Sequence, residues 1–158
     1  MDKKEQDFEQ MVTRQRSTIY SVCYLFADTK LEADDLFQET LLRLWNGIGS
    51  FQHQCSERTW VYRVALNTCI SCDRKSKRRP SLQPLEMDVD LFAETAEAPY
   101  ARQLHERIGC LDLLDRALVL LWLEDLSYDE IGNIVGISPK NVSVRLVRIR
   151  EKLKNMNH

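Results

Sequence analysis

Between Pro80 and Ala101 the chain carries three of its four prolines, five carboxylates (Glu86, Asp88, Asp90, Glu94 and Glu97) and not one Lys or Arg. Proline interrupts the helical hydrogen-bond ladder, and carboxylates without counter-charges repel one another. A stretch of this kind is expected to run extended rather than to pack. In a chain of 158 residues it leaves two flanks, each near the lower size at which a single core sustains a fold. The expected organisation is a domain over 1–79, an acidic linker over 80–101 and a second domain over 102–158.

Both flanks are expected to be helical. The whole chain has only five glycines, and outside the linker a single proline, too few turn formers for an all-β fold. The fold class is therefore all-α, as two small helical domains. Hydrophobic residues make up 44% of the chain, enough for a core in each half. The net charge of −2 conceals an uneven distribution. Residues 1–79 hold thirteen basic and eleven acidic side chains, and residues 102–158 hold nine and eight. No apolar run approaches the roughly 20 residues that span a bilayer, and the first residues lack a signal-peptide core. A cytoplasmic protein without membrane insertion is expected. The five cysteines (Cys23, Cys55, Cys69, Cys72 and Cys110) are then reduced thiols.

In the first flank, apolar positions Phe8, Met11, Val12, Ile19, Val22, Cys23 and Phe26 predict a long amphipathic helix. Thr29 and Glu32 form the pattern of a capping box that opens a second helix. At 100° per residue Phe37, Leu41 and Leu44 face the core, while Asp35, Gln38, Glu39, Leu42 and Asn46 gather on the far side. Periodicity alone leaves that far side equally open to two readings, a solvated face and a docking face. A third helix over 60–75 turns Val61, Tyr62, Ala65, Leu66, Cys69 and Cys72 inward. Its other side carries Trp60, Arg63, Val64, Asn67, Thr68, Ser71, Arg74 and Lys75, then runs into Lys77, Arg78 and Arg79. An aromatic ring, an amide, hydroxyls and cations on one stripe suit base stacking with phosphate contact. The placement of both CxxC thiols in the core weighs against a metal or redox centre.

In the second flank Ser127 and Glu130 form another capping box, Gly136 fits the glycine that ends a helix, and Ser138-Pro139 opens the next. Two helices joined by so short a turn are a helix-turn-helix, whose second helix enters the major groove. That helix is expected to bury Val142, Leu146, Ile149 and Leu153. Its outer face shows Lys140, Asn141, Val144, Val147 and Arg148, with Arg145 at the flank. Exposed valines can meet thymine methyl groups in the groove.

Three segments carry a family resemblance. Asp34-Asp35-Leu36-Phe37-Gln38-Glu39-Thr40-Leu41-Leu42-Arg43-Leu44-Trp45 resembles the polymerase-binding helix of bacterial sigma factors. Thr59-Trp60-Val61-Tyr62-Arg63-Val64-Ala65-Leu66-Asn67 and the basic run after it resemble the helix that engages the −10 promoter element. Leu126 to Leu153 is similar to the helix-turn-helix that reads the −35 element. Three motifs in this order on so short a chain resemble the extracytoplasmic-function subgroup of the sigma-70 family. The resemblance implies a sigma factor, not an enzyme, needing no cofactor or metal. It implies core RNA polymerase (the β′ clamp and β subunits), promoter DNA and an anti-sigma factor as partners. Asp35, Gln38, Glu39 and Leu42 would dock on polymerase. Trp60, Arg63, Asn67, Thr68, Ser71, Arg74, Lys75, Lys77, Arg78 and Arg79 would hold the −10 element, with the loop around 51–58 capturing an unstacked base. Ser138, Pro139, Lys140, Asn141, Val144, Arg145 and Arg148 would contact the −35 element. A stand-alone helix-turn-helix regulator is the nearest alternative, and it leaves the first flank without a purpose.

Overall fold

The computed structural model describes residues 2–51, 53–76 and 98–156, and the chain forms two compact units built from α-helices. The first unit holds α1 (Lys3–Phe26), α2 (Lys30–Gly47), a short 3-10 turn (Ile48–Ser50) and α3 (Glu57–Ser76). The second holds α4 (Ala98–Gly109), α5 (Leu113–Leu123), α6 (Tyr128–Val135) and α7 (Pro139–Asn155). Helix α4 begins inside the range read as linker; the rest of that range, and Lys77, Arg78 and Arg79, lie outside the described residues.

Helix α1 starts five residues before its first apolar position because Asp2 caps it, accepting from the Glu5 N–H at 2.8 Å. The three helices of the first unit close on one another through Met11, Ile19, Val22, Phe26, Ala33, Leu36, Leu44, Val61, Tyr62 and Leu66, all buried. The seam of α2 lies slightly round the helix from the expected one. Ala33, Leu36, Thr40 and Leu44 are buried, whereas Phe37 and Leu41 are half-buried at its edge. Phe37 instead meets the Tyr20 ring at 5.8 Å. Thr40 is tolerated in the seam because its hydroxyl donates to the Leu36 carbonyl at 2.7 Å, so no polar atom there needs water.

The second unit is organised around α5, whose Ala117, Leu118, Val119, Leu120 and Leu121 are all buried against neighbouring helices. The turn between α6 and α7 follows the local chemistry of its sequence. Ser127 and Glu130 exchange both capping hydrogen bonds, Gly136 takes the left-handed conformation at φ 83°, and Ser138 accepts from the Asn141 N–H at 3.1 Å. A Cβ at Gly136 would meet nothing within 4 Å, so its requirement is purely one of backbone. We expect Gly136→Ala to cost about 1–2 kcal/mol, the penalty of a left-handed L-residue, without loss of the fold. Denaturant midpoints of the two chains check this, and an unchanged midpoint would show the turn to be adaptable.

Candidate nucleic-acid interface

Three surfaces of the two units are exposed in ways that folding alone does not require. The first is a stripe along α2. Leu31 is 73% exposed and Leu42 58%, with exposed Asp35 and Gln38 between them at helical spacing. Asn46 continues the line and is also exposed. Two large apolar side chains turned to solvent around two polar ones have no stabilising role within the unit. Leu31 escaped sequence reading, although the spacing 31, 35, 38, 42 would have revealed it. Glu39 stands at the stripe's edge: half-buried, it pairs with Arg43 at 3.4 Å, and Arg43 reaches across to the Ser71 hydroxyl of α3 at 3.1 Å.

The second surface is the start of α3 and the loop before it. Ser56 caps the helix by accepting from the Thr59 N–H at 3.1 Å. Glu57 is held by Arg14 of α1 through two bonds of 3.1 and 2.7 Å and by Gln15 at 3.1 Å. Its hydrogen bond to Arg14 outweighs partial burial and keeps its carboxyl below the ordinary range. Beside this clamp stands an aromatic group. Phe51 lies 4.7 Å from the Trp60 ring and 4.5 Å from His53, whose backbone is left-handed at φ 57°. These three rings, with Asp7, Arg14 and Glu57, line much of a cavity of about 230 Å³. Stacking surface beside hydrogen-bonding groups is what an unstacked base requires.

Along α3 the expected stripe is only partly assembled. Trp60, Arg63 and Val64 are half-buried and Asn67 is exposed, so these four do share an accessible side. Thr68 does not belong with them. It is fully buried, its hydroxyl donating to the Val64 carbonyl at 2.7 Å. The physical reason is angular: Thr68 lies seven residues from Val61 and three from Ala65, at the centre of the buried seam. Ser71 is half-buried, and its hydroxyl donates to the Thr68 carbonyl while accepting from Arg43. Arg74 and Lys75 continue the helical backbone. The two CxxC thiols differ, Cys69 being buried and Cys72 half-buried. Its hydrogen bond with the Cys23 thiol, and then burial, push the Cys69 thiol above its ordinary pKa. Among the described residues no group of three His, Cys, Asp or Glu is placed to hold a metal ion.

The third surface is the outer face of α7. Lys140, Asn141 and Arg148 are exposed, and Val144 and Val147 remain 43% and 54% exposed. Ser138 and Pro139 form the start of the helix, as cap and first residue. Arg145 is half-buried rather than free, pairing with the buried Asp115 of α5 at 3.3 Å. Arg150 lies over the Trp122 ring at 5.1 Å. Both pairings were invisible in the periodicity of α7, because each partner comes from α5. Asp115 did leave a trace, as the one acid within the apolar run Leu113–Leu121.

No helix of the described residues is long and apolar enough to cross a membrane. Residues 11–79 match the family model of Sigma-70 region 2, and residues 101–153 match that of Sigma-70, region 4. The chain is 31% identical over 170 residues to the ECF RNA polymerase sigma factor SigW of Bacillus subtilis, covering 96% of this chain and 90% of that one. It is 34% identical over 143 residues to the RNA polymerase sigma factor YlaC of the same organism, covering 83% and 82%. Two solved structures share the fold. One is the sigma factor RpoE in complex with the anti-sigma factor NepR from Bartonella quintana (TM-score 0.77, 18% identity, covering 97% of this chain and 99% of that one). The other is CnrH in complex with the cytosolic domain of CnrY (TM-score 0.72, 22% identity, covering 96% and 88%).

Proposed function

The chain belongs to the extracytoplasmic-function RNA polymerase sigma factors of the sigma-70 family, and from that premise we propose how its three surfaces divide the work. As a sigma factor it binds core RNA polymerase and directs it to promoters. The α2 stripe of Leu31, Asp35, Gln38 and Leu42, with Glu39 at its edge, docks on the clamp helices of the β′ subunit. Trp60, Arg63 and Asn67 on the accessible side of α3 hold the −10 element, together with Arg74 and Lys75 later in the sequence. Lys77, Arg78 and Arg79 join them in contacting its phosphates, and the Phe51–His53–Trp60 cavity receives an unstacked base. Helix α7 reads the −35 duplex, with Lys140, Asn141, Val144 and Arg148 central and Arg145 at the margin. The same surfaces suit an anti-sigma factor, since covering exposed apolar side chains would also block polymerase and DNA. The site of action is the cytoplasm, where polymerase works, and polymerase alone supplies the chemistry.

The observation that carries this reading over a stand-alone regulator is the α2 stripe, which a DNA-binding dimer would leave unused. Purified chain mixed with core polymerase is expected to support transcription from a promoter selected by the pair, and neither component should do so alone. Tight, palindrome-dependent duplex binding without polymerase would instead return the regulator reading.

Within α7, Arg148→Ala is expected to cost about 1–3 kcal/mol of discrimination and to relax one base position, as for a lost bidentate contact to guanine. Competition between the selected −35 duplex and single-base variants measures it. A uniform loss across all duplexes would reassign Arg148 to the phosphate backbone.

A further inference from the structure

We propose that Asp115 is a positioning residue for −35 recognition, holding the Arg145 guanidinium at the edge of α7 in the orientation that meets the duplex. The inference rests on the reading of α7 as the duplex-reading helix. Asp115 is the charged side chain among the buried polar residues of the described chain, only 7% exposed. It stands in the first turn of α5, where its own N–H is taken by the capping carboxylate of Asp112 at 2.8 Å. One of its carboxylate oxygens accepts from Arg145 Nη1 at 3.3 Å, and the other lies 4.0 Å from Lys152 Nζ. Arg145 and Lys152 are two turns apart on one flank of α7. The carboxylate is therefore anchored on a packed helix and directed at two cations of its neighbour.

An ion pair with one buried member is a poor source of stability, since the desolvation of the buried carboxylate offsets the attraction. Its use is orientation. A free arginine side chain has rotamer freedom that a contact to DNA must otherwise overcome. Engaging one guanidinium nitrogen from below removes much of that freedom and leaves the remaining N–H donors available. Arg145 keeps 42% of its side chain exposed, so those donors have access to a ligand. It neighbours Asn141 and Arg148 at helical spacing but lies off the centre of the face, which Val144 and Val147 occupy. An edge position suits a phosphate contact that fixes register, beside central side chains that read bases. Burial and then Asp112 raise the carboxyl's pKa, and Arg145 and Lys152 oppose them.

The test uses holoenzyme made from the full chain and core polymerase. Its probes are a −35-bearing duplex selected by that holoenzyme from a randomised pool and the same duplex with the −35 segment scrambled. Asp115→Asn keeps the shape and removes the charge; it is expected to weaken binding to the selected duplex about 5- to 10-fold, with Asp115→Glu recovering part of the loss. Arg145→Ala should lose at least as much and lower the slope of log affinity against log salt by about one. Adding Asp115→Asn to Arg145→Ala should bring no further loss. Tighter binding of Asp115→Asn to both duplexes would overturn the proposal, the carboxylate then being a mask over two cations. Unchanged affinity, or losses that add in the double variant, would overturn it too.

Should Asp115→Asn unfold, Arg145→Lys decides alone, because it alters no buried group. It keeps the charge but not the fixed fork, and at least a threefold loss with an unchanged salt slope is expected. Undiminished affinity of that variant would refute positioning. Failure of Arg148→Ala to weaken binding to either probe would instead fall on the reading of α7 itself.

Discussion

Replacing Leu42 by Asp is expected to weaken assembly with core polymerase at least 100-fold, about 2.7 kcal/mol, while the chain stays folded. Leu42 is 58% exposed on α2, and neither its neighbours nor the rest of its unit cover it. The folding cost is confined to a lower helix propensity, about 0.5 kcal/mol, and a small repulsion with Glu39 three residues earlier. Docking is affected far more. A carboxylate carried into an interface without a partner loses its hydration, a penalty of several kcal/mol. Leu42→Ala should lose less, since it removes contact area without adding charge. Asp35→Ala with Gln38→Ala should also weaken assembly, their polar groups lying between the two leucines. Circular dichroism and competition for core polymerase against the unaltered chain provide the measurement. Full competition by Leu42→Asp would assign the stripe to another partner.

Why that stripe could be seen but not understood from periodicity is a matter of what a helical wheel records. The angular pattern of α2 separates a core side from an outer one, and Leu42 among polar residues was visible at once. The same pattern misjudged the seam by part of a turn, because Phe37 and Leu41 are larger and more apolar than Ala33 and Thr40, which lie nearer its centre. Small side chains and a threonine bonded to its own helix permit close approach, so packing selected them over hydrophobicity. Thr68 on α3 was misplaced for the same reason. A residue type that looks solvent-facing belongs in the core once its hydroxyl has the carbonyl four residues back.

Turns and caps were more legible. Thr29, Ser127 and Ser138 all accept the backbone bonds their positions predict, and Gly136 adopts the conformation that its place at a helix end requires. Such interactions join residues three or four apart, so they are written in contiguous sequence. The Arg14–Glu57 clamp and the Asp115–Arg145 pair join residues 43 and 30 positions apart, and nothing local specifies them. The aromatic cavity is intermediate. Phe51, His53 and Trp60 are close in sequence, but the left-handed turn at His53 that gathers them is not a property of histidine alone.

The division into two units carries the second large effect, at Leu118. Its side chain is fully buried at the centre of α5, in the layer that α6 and α7 pack against. Leu118→Ala removes that contact and leaves a cavity, at a cost of about 2–5 kcal/mol. A domain of roughly 60 residues has in total only about 3–9 kcal/mol of stability, at 0.05–0.15 kcal/mol per residue. The second unit should therefore lose about half its stability at the middle of both ranges, lowering its melting temperature by about 10 °C or more. The first unit has its own core in Ile19, Val22, Leu44, Val61 and Tyr62, and its transition should not move. Calorimetry would then show the transition of the second unit moving down on its own. Function should divide along the same line. At a temperature that melts only the second unit, Leu118→Ala should still compete for core polymerase through α2 but no longer distinguish promoters with and without a −35 element. A single transition shifting as a whole, with polymerase binding and −35 recognition lost together, would mean that the two cores fold as one and that the acidic stretch between them is not a simple tether.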